Sequence, residues 1–256
     1  MATDRRGRRW SRDELIIVFN LYCRLPFGQL HRGNPDIIKV AGLIDRTPDA
    51  LAMKLVNIAS LDPVQQKRGV RGLKNVSSLD REMWQEFHKN WESMAIKSEE
   101  AVDRLAGDAT SHVSELRGDM RETETTATTR IRLVQRFFRN TVISAYDSKC
   151  AICQIAEAEF LNASHIVPWS VDQSLRANPT NGISLCALHD RAFDRGFISL
   201  SDSMTLLISD SLRNIEPPDV IDSGFLKYDA KPIAIPSRFA PNRDAVKYHR
   251  ESIFRG

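Results

Sequence analysis

Two short motifs built from metal-binding residue types constrain this 256-residue chain more than any other feature. Cys150 and Cys153 are separated by two residues, and Cys186 and His189 repeat the same spacing. Each pair forms a tight turn that can place two ligands about 2.0–2.3 Å from a tetrahedral zinc ion. Four cysteines are too few for a disulfide framework, so the spacing favours a structural Zn²⁺ site. The alternative is that the cysteines are free and buried, with His189 on the surface.

The segment between the two motifs is longer than the connection of a plain zinc ribbon, so it contains an insertion. This insertion includes the sequence His-Ile-Val-Pro from His165 and the sequence Asn-Gly-Ile from Asn181, and Asp190 directly follows the second motif. In this order, the motifs resemble the HNH endonuclease family, in which two strands and a helix form a ββα-metal fold. The resemblance covers residues 131–215. The tail at 247–250, Lys-Tyr-His-Arg, is similar to the carboxyl end of one branch of the family.

The resemblance implies an active site for phosphodiester hydrolysis. This reaction needs a base that activates water and a divalent cation that stabilises the charge on the phosphate. By the family pattern His165 is the base, with a backbone carbonyl orienting its ring, and a histidine pKa of about 6.5 suits that role. Asn181 bridges the hairpin loop that holds His165. Asp190 supplies an oxygen ligand for Mg²⁺ or Mn²⁺.

The sequence departs from the family pattern immediately before the base. Members commonly have Asp or His at the position of Ser164 as a second ligand of the catalytic metal, and serine is a poor anionic ligand. Either a neighbour such as Asp194 completes the site, or coordination stays weak until DNA phosphates arrive. The predicted catalytic metal site therefore contains Asp190, with Ser164 as a weak additional ligand.

Local start signals predict three helices at the amino-terminal end. Ser11 and Glu14 form a capping box before an apolar run, which starts a helix over 12–24. Asn34 and Thr47 are each followed by proline, and a capping residue with proline in the first turn starts each of the next two helices. Three helices with a tight turn before the third are typical of a helix-turn-helix module.

The fragment from Trp10 to Asn57 resembles Myb/SANT-like domains of three helices, which implies a DNA-binding module. A small helical module that docks a partner protein is the alternative. Basic residues in an arm at 5–12 and in a glycine-containing loop at 67–74 favour DNA, because such stretches can approach phosphates closely. The predicted nucleic-acid contacts in the whole chain are Arg5, Arg6, Arg8, Arg9, Lys54, Asn57, Lys67, Arg68, Arg71, Lys74, Arg176 and Arg191.

Composition indicates a folded chain, since 42% of the residues are hydrophobic and 27% are charged. The longest apolar run, residues 15–19, is far shorter than the about 20 residues of a bilayer span, so we expect no membrane segment. No secretory signal follows the basic amino terminus, which favours the cytoplasm of a bacterium. We expect an α+β protein with four parts: a helical module at 1–95, an acidic helical or flexible linker at 96–130, the HNH domain at 131–215 and a carboxyl-terminal extension at 216–256 that packs on it.

These observations favour a metal-dependent endonuclease that cleaves double-stranded DNA in bacterial restriction or phage defence. The amino-terminal module would supply affinity or target choice, because backbone contacts carry little sequence information. A non-catalytic nucleic-acid-binding zinc protein is the alternative, in which Ser164 marks the loss of a metal ligand. Symmetric cutting of both strands would need two active sites, which makes a homodimer possible.

Overall fold

The computed structural model describes residues 8–69, 72, 76–108 and 122–256. The chain divides into two compact units, Met1–Phe137 and Phe138–Gly256. The described residues form mostly helices, together with two antiparallel sheets of two strands each. The prediction of a mixed α+β chain is therefore confirmed. None of the described helices combines the length and the hydropathy that a membrane span requires.

Several predicted features lie outside the described residues. They include part of the basic arm, part of the basic loop and the middle of the predicted linker. The predicted nucleic-acid contacts among them are Arg5, Arg6, Arg71 and Lys74.

The first unit is helical throughout its described part. It contains α1 (Arg12–Arg24), α2 (Pro35–Leu43), α3 (Pro48–Ala59), α4 (Pro63–Lys67), α5 (Ser78–Lys89), α6 (Trp91–Asp108) and the beginning of α7 (Glu122–Ala145). The three predicted starts are confirmed. Ser11 and Glu14 bond reciprocally at the start of α1, and Asn34 and Thr47 accept backbone N–H groups at the starts of α2 and α3.

Aromatic side chains form the centre of this unit. Phe19 of α1 stacks on Phe87 of α5 with ring centres 3.7 Å apart, and both rings are fully buried. Tyr22, Trp84 and Trp91 surround Phe19 at 5.8–6.3 Å. Such aromatic pairs contribute about 0.5–1.5 kcal/mol each beyond the burial of their area. The packing therefore holds α5 and α6 against α1.

A buried carboxylate ties α6 to the same core. Glu99 is fully buried and accepts hydrogen bonds from Asn20 at 2.9 Å and from Arg24 at 2.6 and 2.7 Å, and it also pairs with Arg136 of α7. The acidic helical or flexible linker predicted at 96–130 begins within α6. Glu99 and its partners join this part of α6 to α1.

The third helix also differs from its prediction as a DNA-reading helix. Lys54 is buried, donates to both carboxylate oxygens of Asp80 at 2.9 Å, and lies 5.2 Å from the centre of the Trp10 ring. Asn57 is buried too. The face of α3 that carries both residues is therefore packed inside the unit, so neither residue is available to a base or a phosphate there.

The second unit begins with the last turns of α7 and contains two small sheets. Its elements are β1 (Leu161–His165), β2 (Gly182–Cys186), α8 (Ala187–Asp194), β3 (Ile198–Leu200), β4 (Leu206–Ile208), α9 (Asp210–Arg213), α10 (Pro218–Gly224) and α11 (Arg243–Ser252). β1 and β2 pair antiparallel with Leu161 opposite Cys186 and His165 opposite Gly182. α8 follows β2 directly and packs on both strands.

Gly182 allows the end of α7 to lie close to this strand pair. A Cβ atom at residue 182 would be 2.4 Å from Val142 Cγ2 and 2.8 Å from Phe138 Cζ, both on α7. Distances this short do not occur between real atoms without a shift of the neighbour. Glycine at this position therefore permits the contact between α7 and β2.

His249 fastens α11 to the rest of the second unit. Its ring stacks on Phe193 at 3.7 Å, its Nε2 donates to Phe193 O at 3.1 Å, and its Nδ1 accepts from Ser199 at 2.9 Å. Burial lowers the pKa of His249 to about 4, because the charged form loses its hydration. The tail motif at 247–250 thus has a packing role in this structure through His249.

We predict that Glu99→Gln destabilises the first unit. The substitution leaves Arg24 and Arg136 without their carboxylate, and because both are partly exposed we expect a loss of about 2–3 kcal/mol, below that of a fully buried pair. Urea unfolding followed by tryptophan fluorescence measures the loss. Glu100→Gln, on the exposed side of the same helix, is the matched control. Equal unfolding midpoints for the two variants would contradict the role of Glu99.

We predict that His249 makes the second unit less stable in acid. The pKa of His249 is about 6.5 in the unfolded chain and about 4 in the fold, so between these values only the unfolded state binds the proton. Stability therefore falls as the pH is lowered from 6.5 to 4, by up to about 3 kcal/mol from this group. Denaturant unfolding of wild type and His249→Gln across this range should show the difference between them shrinking at low pH. A difference that stays constant over this pH range would contradict the role of His249.

Candidate active site

The four residues of the two sequence motifs come together in the second unit. The ligand atoms of Cys150, Cys153, Cys186 and His189 all lie within 4.8 Å of one another. Cys153 Sγ is 3.8 Å from Cys186 Sγ, and His189 Nδ1 is 3.5 Å from Cys150 Sγ and 3.1 Å from Cys186 Sγ. Tetrahedral zinc with ligands at about 2.0–2.3 Å spaces them about 3.3–3.8 Å apart. The cluster could therefore hold a metal ion.

Hydrogen bonds around the cluster orient His189 and shift the pKa values of two of its cysteines. His189 Nε2 donates to Gly224 O at 2.9 Å, which leaves the lone pair of Nδ1 directed at the thiols. A hydrogen bond between the thiols lowers the pKa of Cys150 and raises the pKa of Cys186 to about 11. A metal ion bound here would hold these cysteines as thiolates.

His165 stands at the end of β1 with its ring fixed on three sides. The ring stacks on Phe138 with ring centres 3.8 Å apart and planes 8° apart, and it packs edge-to-face with Trp169 with ring centres 5.6 Å apart. Nε2 is 3.0 Å from Arg176 O, which can only accept, so Nε2 carries the proton and Nδ1 has the free lone pair. Burial lowers the pKa of His165, although the Arg176 carbonyl and the charge of Asp190 act against this. The ring is therefore held in its neutral form.

Asn181 closes the loop that follows His165. Its side chain accepts from Val167 N at 2.8 Å and donates to Val167 O at 3.0 Å, while its carbonyl accepts from Ile166 N at 2.9 Å. Asn181 is almost fully buried. These bonds tie the residues after His165 to the start of β2, which is the geometry expected of the bridging role predicted for Asn181.

Asp190, Asp194 and Ser164 form a polar group between β1 and α8. Asn162 donates to Asp190 at 2.8 Å and orients its carboxylate. Partial desolvation and the charge of Asp190 raise the pKa of Asp194, which lies beside Ser164. The buried Ser164 hydroxyl faces the Asp194 carboxylate and partly offsets this rise in pKa. Two carboxylates that repel each other are a feature that a bound cation would relieve.

Arg176 and Arg191 lie near this group in different environments. Arg176 is half-buried, donates from Nε to Trp169 O at 2.9 Å, and lies over the Trp169 ring at 5.0 Å. Arg191 is exposed on α8. Phosphate contact by either residue stays a prediction.

The described basic residues of the predicted arm and loop differ in their surroundings. Arg8 donates to Glu14 at 2.6 Å and to Ile44 O at 3.1 Å, and the carbonyls of Arg8 and Arg9 accept from Arg46. The side chains of Arg9, Lys67 and Arg68 are exposed. Their contact with nucleic acid stays a prediction.

Sequence reasoning missed two residues of the site. Asn162 lies two residues before Ser164 on the same strand, and residues two apart share a face, so this signal was available. Phe138 stacks on His165 from α7, 27 positions earlier in the chain, and no local pattern indicates such a contact.

Comparison with protein families identifies the segment that contains these residues. Residues 150–201 match the HNH endonuclease family. The resemblance inferred from the motifs is therefore confirmed for this HNH segment, which contains the cysteine cluster, His165, Asn181 and Asp190. The family match supports a nuclease.

Comparison with whole proteins adds less. The search of curated proteins gives no match to the chain. Among solved structures, the chain is similar to one described as a modification dependent TagI restriction endonuclease, with 18% identity and a TM-score of 0.35. The match covers 45% of this chain and 37% of that one, so the chain spans just over a third of its length.

We predict that Cys150→Ser and Cys186→Ser lose bound zinc and unfold or aggregate the second unit. The part of this unit that consists of β1, β2 and α8 has too small a core to stay folded without its metal. Elemental analysis by mass spectrometry, together with thermal melting, measures both effects. Cys23→Ala, in the first unit, should retain the metal and serves as control. Well-folded wild-type protein that contains no zinc after expression in zinc-supplemented medium would contradict the prediction.

Proposed function

We propose that the chain is a metal-dependent endonuclease that hydrolyses DNA phosphodiester bonds with His165 as the general base. The observation that carries the proposal is the hydrogen bond from His165 Nε2 to Arg176 O. It commits one ring nitrogen, so Nδ1 is the atom that can take a proton from water. Phe138 and Trp169 hold the ring, and a base held in one orientation needs no reorganisation when it reacts.

The polar group between β1 and α8 fits a divalent cation. Asp190 would be its main ligand, and Asp194 with the neighbouring Ser164 hydroxyl would complete the site. When bound there, Mg²⁺ or Mn²⁺ would neutralise charge on the scissile phosphate. Asn162 would keep the Asp190 carboxylate in one orientation through its hydrogen bond. Asp194 would therefore supply the negatively charged ligand that Ser164 does not provide.

The cysteine cluster has a structural part in this proposal. Cys186 is the last residue of β2 and His189 lies in the first turn of α8, next to Asp190. A structural Zn²⁺ held by these two residues with Cys150 and Cys153 would fix the start of α8 against the strands. Asp190 would then face Asn162 on β1. In this role the zinc fixes the geometry of a ββα-metal site and takes no part in bond cleavage.

The reaction follows from these positions. His165 Nδ1 accepts a proton from a water molecule, whose oxygen forms a bond to phosphorus while the bond to the leaving oxygen breaks. Asn181 keeps the loop after His165 closed during this step. We place the activity in bacterial restriction or phage defence in the cytoplasm, with double-stranded DNA as substrate and a homodimer for cuts in both strands.

The first unit would contribute affinity for DNA or dock a partner protein. Its exposed Arg9, Lys67 and Arg68 support contact with phosphates. Lys54 and Asn57 are buried, so the face of α3 that was predicted to contact DNA bases is not accessible. Recognition by this unit would therefore be electrostatic and fall with increasing salt.

A second candidate is a zinc protein that binds nucleic acid without cleaving it. The observation that favours it is Ser164, which provides no negative charge where a cation would bind. In that case the protein would bind DNA in a salt-dependent manner and leave it intact with either cation.

Two substitutions test the roles proposed for the site. His165→Ala removes the base and should lower plasmid cleavage by about 10²–10⁴-fold while DNA binding survives. Asp190→Asn keeps the shape and deletes a negative ligand, so its activity should fall and be partly restored by raising Mn²⁺, because mass action offsets weaker coordination. Added metal should not restore His165→Ala.

Asp219→Asn and His31→Ala, both at exposed positions, are the matched controls. Cleavage rates are measured on supercoiled plasmid and binding by gel shift. If His165→Ala cleaves at the wild-type rate, the second candidate replaces the nuclease. If both variants respond to Mn²⁺ alike, the roles assigned to His165 and Asp190 are wrong.

A further inference from the structure

The side chain of Arg176 is held in place and yet keeps most of its donors. Nε donates to Trp169 O at 2.9 Å, and the guanidinium carbon lies 5.0 Å from the centre of the Trp169 ring. Among the residues that the structure describes, no carboxylate pairs with Arg176, and neither Nη atom donates a hydrogen bond. The side chain is half-buried, so these Nη groups can still reach a ligand.

Other arginines of this chain show what a purely structural role looks like. Arg46 is almost fully buried, and its Nε and both Nη atoms donate to Glu14 and to the carbonyls of Arg8 and Arg9. Arg139 donates from both Nη atoms to backbone carbonyls. Arg176 differs from both, because only its Nε is used.

Arg176 is also next to the base. Its backbone carbonyl accepts from His165 Nε2 at 3.0 Å, and the His165 ring lies 5.6 Å from the centre of the same Trp169 ring that Arg176 covers. The base and the guanidinium therefore flank one indole. The Nη groups of Arg176 are therefore unpaired cationic donors held beside the residue proposed as the base.

We propose that Arg176 is a catalytic residue of the hydrolysis, and that Trp169 is its positioning residue. The Nη groups would donate to a non-bridging oxygen of the scissile phosphate and stabilise the negative charge that grows as the new P–O bond forms. Guanidinium groups match phosphate oxygens in planar pairs of hydrogen bonds, and a donor fixed beforehand is worth most in the transition state. Arg176 gives up no proton and no electrons. This inference rests on the nuclease function proposed above.

The test compares Arg176→Ala and Arg176→Lys with wild type in single-turnover cleavage of supercoiled plasmid with Mn²⁺. Removing one preorganised donor to a developing oxyanion typically costs about 10²–10³-fold, which is the fall expected for Arg176→Ala. Arg176→Lys keeps the positive charge but lacks the paired donors of the guanidinium, so its rate should lie between those of Arg176→Ala and wild type. Millimolar guanidinium should restore part of the activity of Arg176→Ala, but none in His165→Ala. Plasmid affinity in EDTA should change only a few-fold.

Arg243→Ala, at an exposed residue in the first turn of α11, is the control for a lost surface charge. Thermal melting shows whether each variant is folded. If wild type cleaves and Arg176→Ala matches Arg243→Ala, the role of Arg176 is overturned while the nuclease stands. A slow Arg176→Ala variant that melts early and gains nothing from guanidinium also overturns it, since the side chain is then structural. If wild type cleaves no DNA, the proposed function itself fails.

Discussion

The cluster of Cys150, Cys153, Cys186 and His189 is the interaction on which the rest of the candidate site depends. It joins the turn after α7 to the end of β2 and the first turn of α8. Neither strand of the pair exceeds five residues, so the strands alone bury little. With these ends joined, Asp190 lies opposite Asn162. The same cluster places the first turn of α8, which carries Asp190, beside the strand that ends at His165.

The chemistry is divided between the two faces of β1, because alternate residues of a strand point to opposite sides. Asn162 and Ser164 face α8 with its carboxylates, whereas His165 packs on Phe138 of α7. The negative charges thus lie on one side of β1, and the neutral His165 ring lies on the other side. Burial lowers the pKa of His165, and partial burial together with the charge of Asp190 raises the pKa of Asp194. The two faces of one strand therefore carry the proposed cation site and the proposed proton acceptor.

Features set by local interactions could be predicted from the sequence, and those set by distant partners could not. The capping residues Ser11, Asn34 and Thr47 bond to backbone within three positions, and the cysteine motifs form turns, so each was visible as a pattern. Lys54 looked like a DNA contact because its partner Asp80 is 26 positions away. Glu99 looked like part of a linker because its partners are 37–79 positions away, on α1 and α7. In both cases a charge that seemed free in the sequence is neutralised inside the first unit.

The central claim is that the HNH segment of this chain hydrolyses DNA with the aid of a divalent cation. The most direct measurement is incubation of purified wild-type protein with supercoiled plasmid, in modified and unmodified forms, with Mg²⁺, Mn²⁺ or EDTA. The account predicts nicked or linear plasmid with at least one of the two cations and intact plasmid with EDTA. Intact plasmid of both forms with both cations, from protein that is folded and contains zinc, would contradict it.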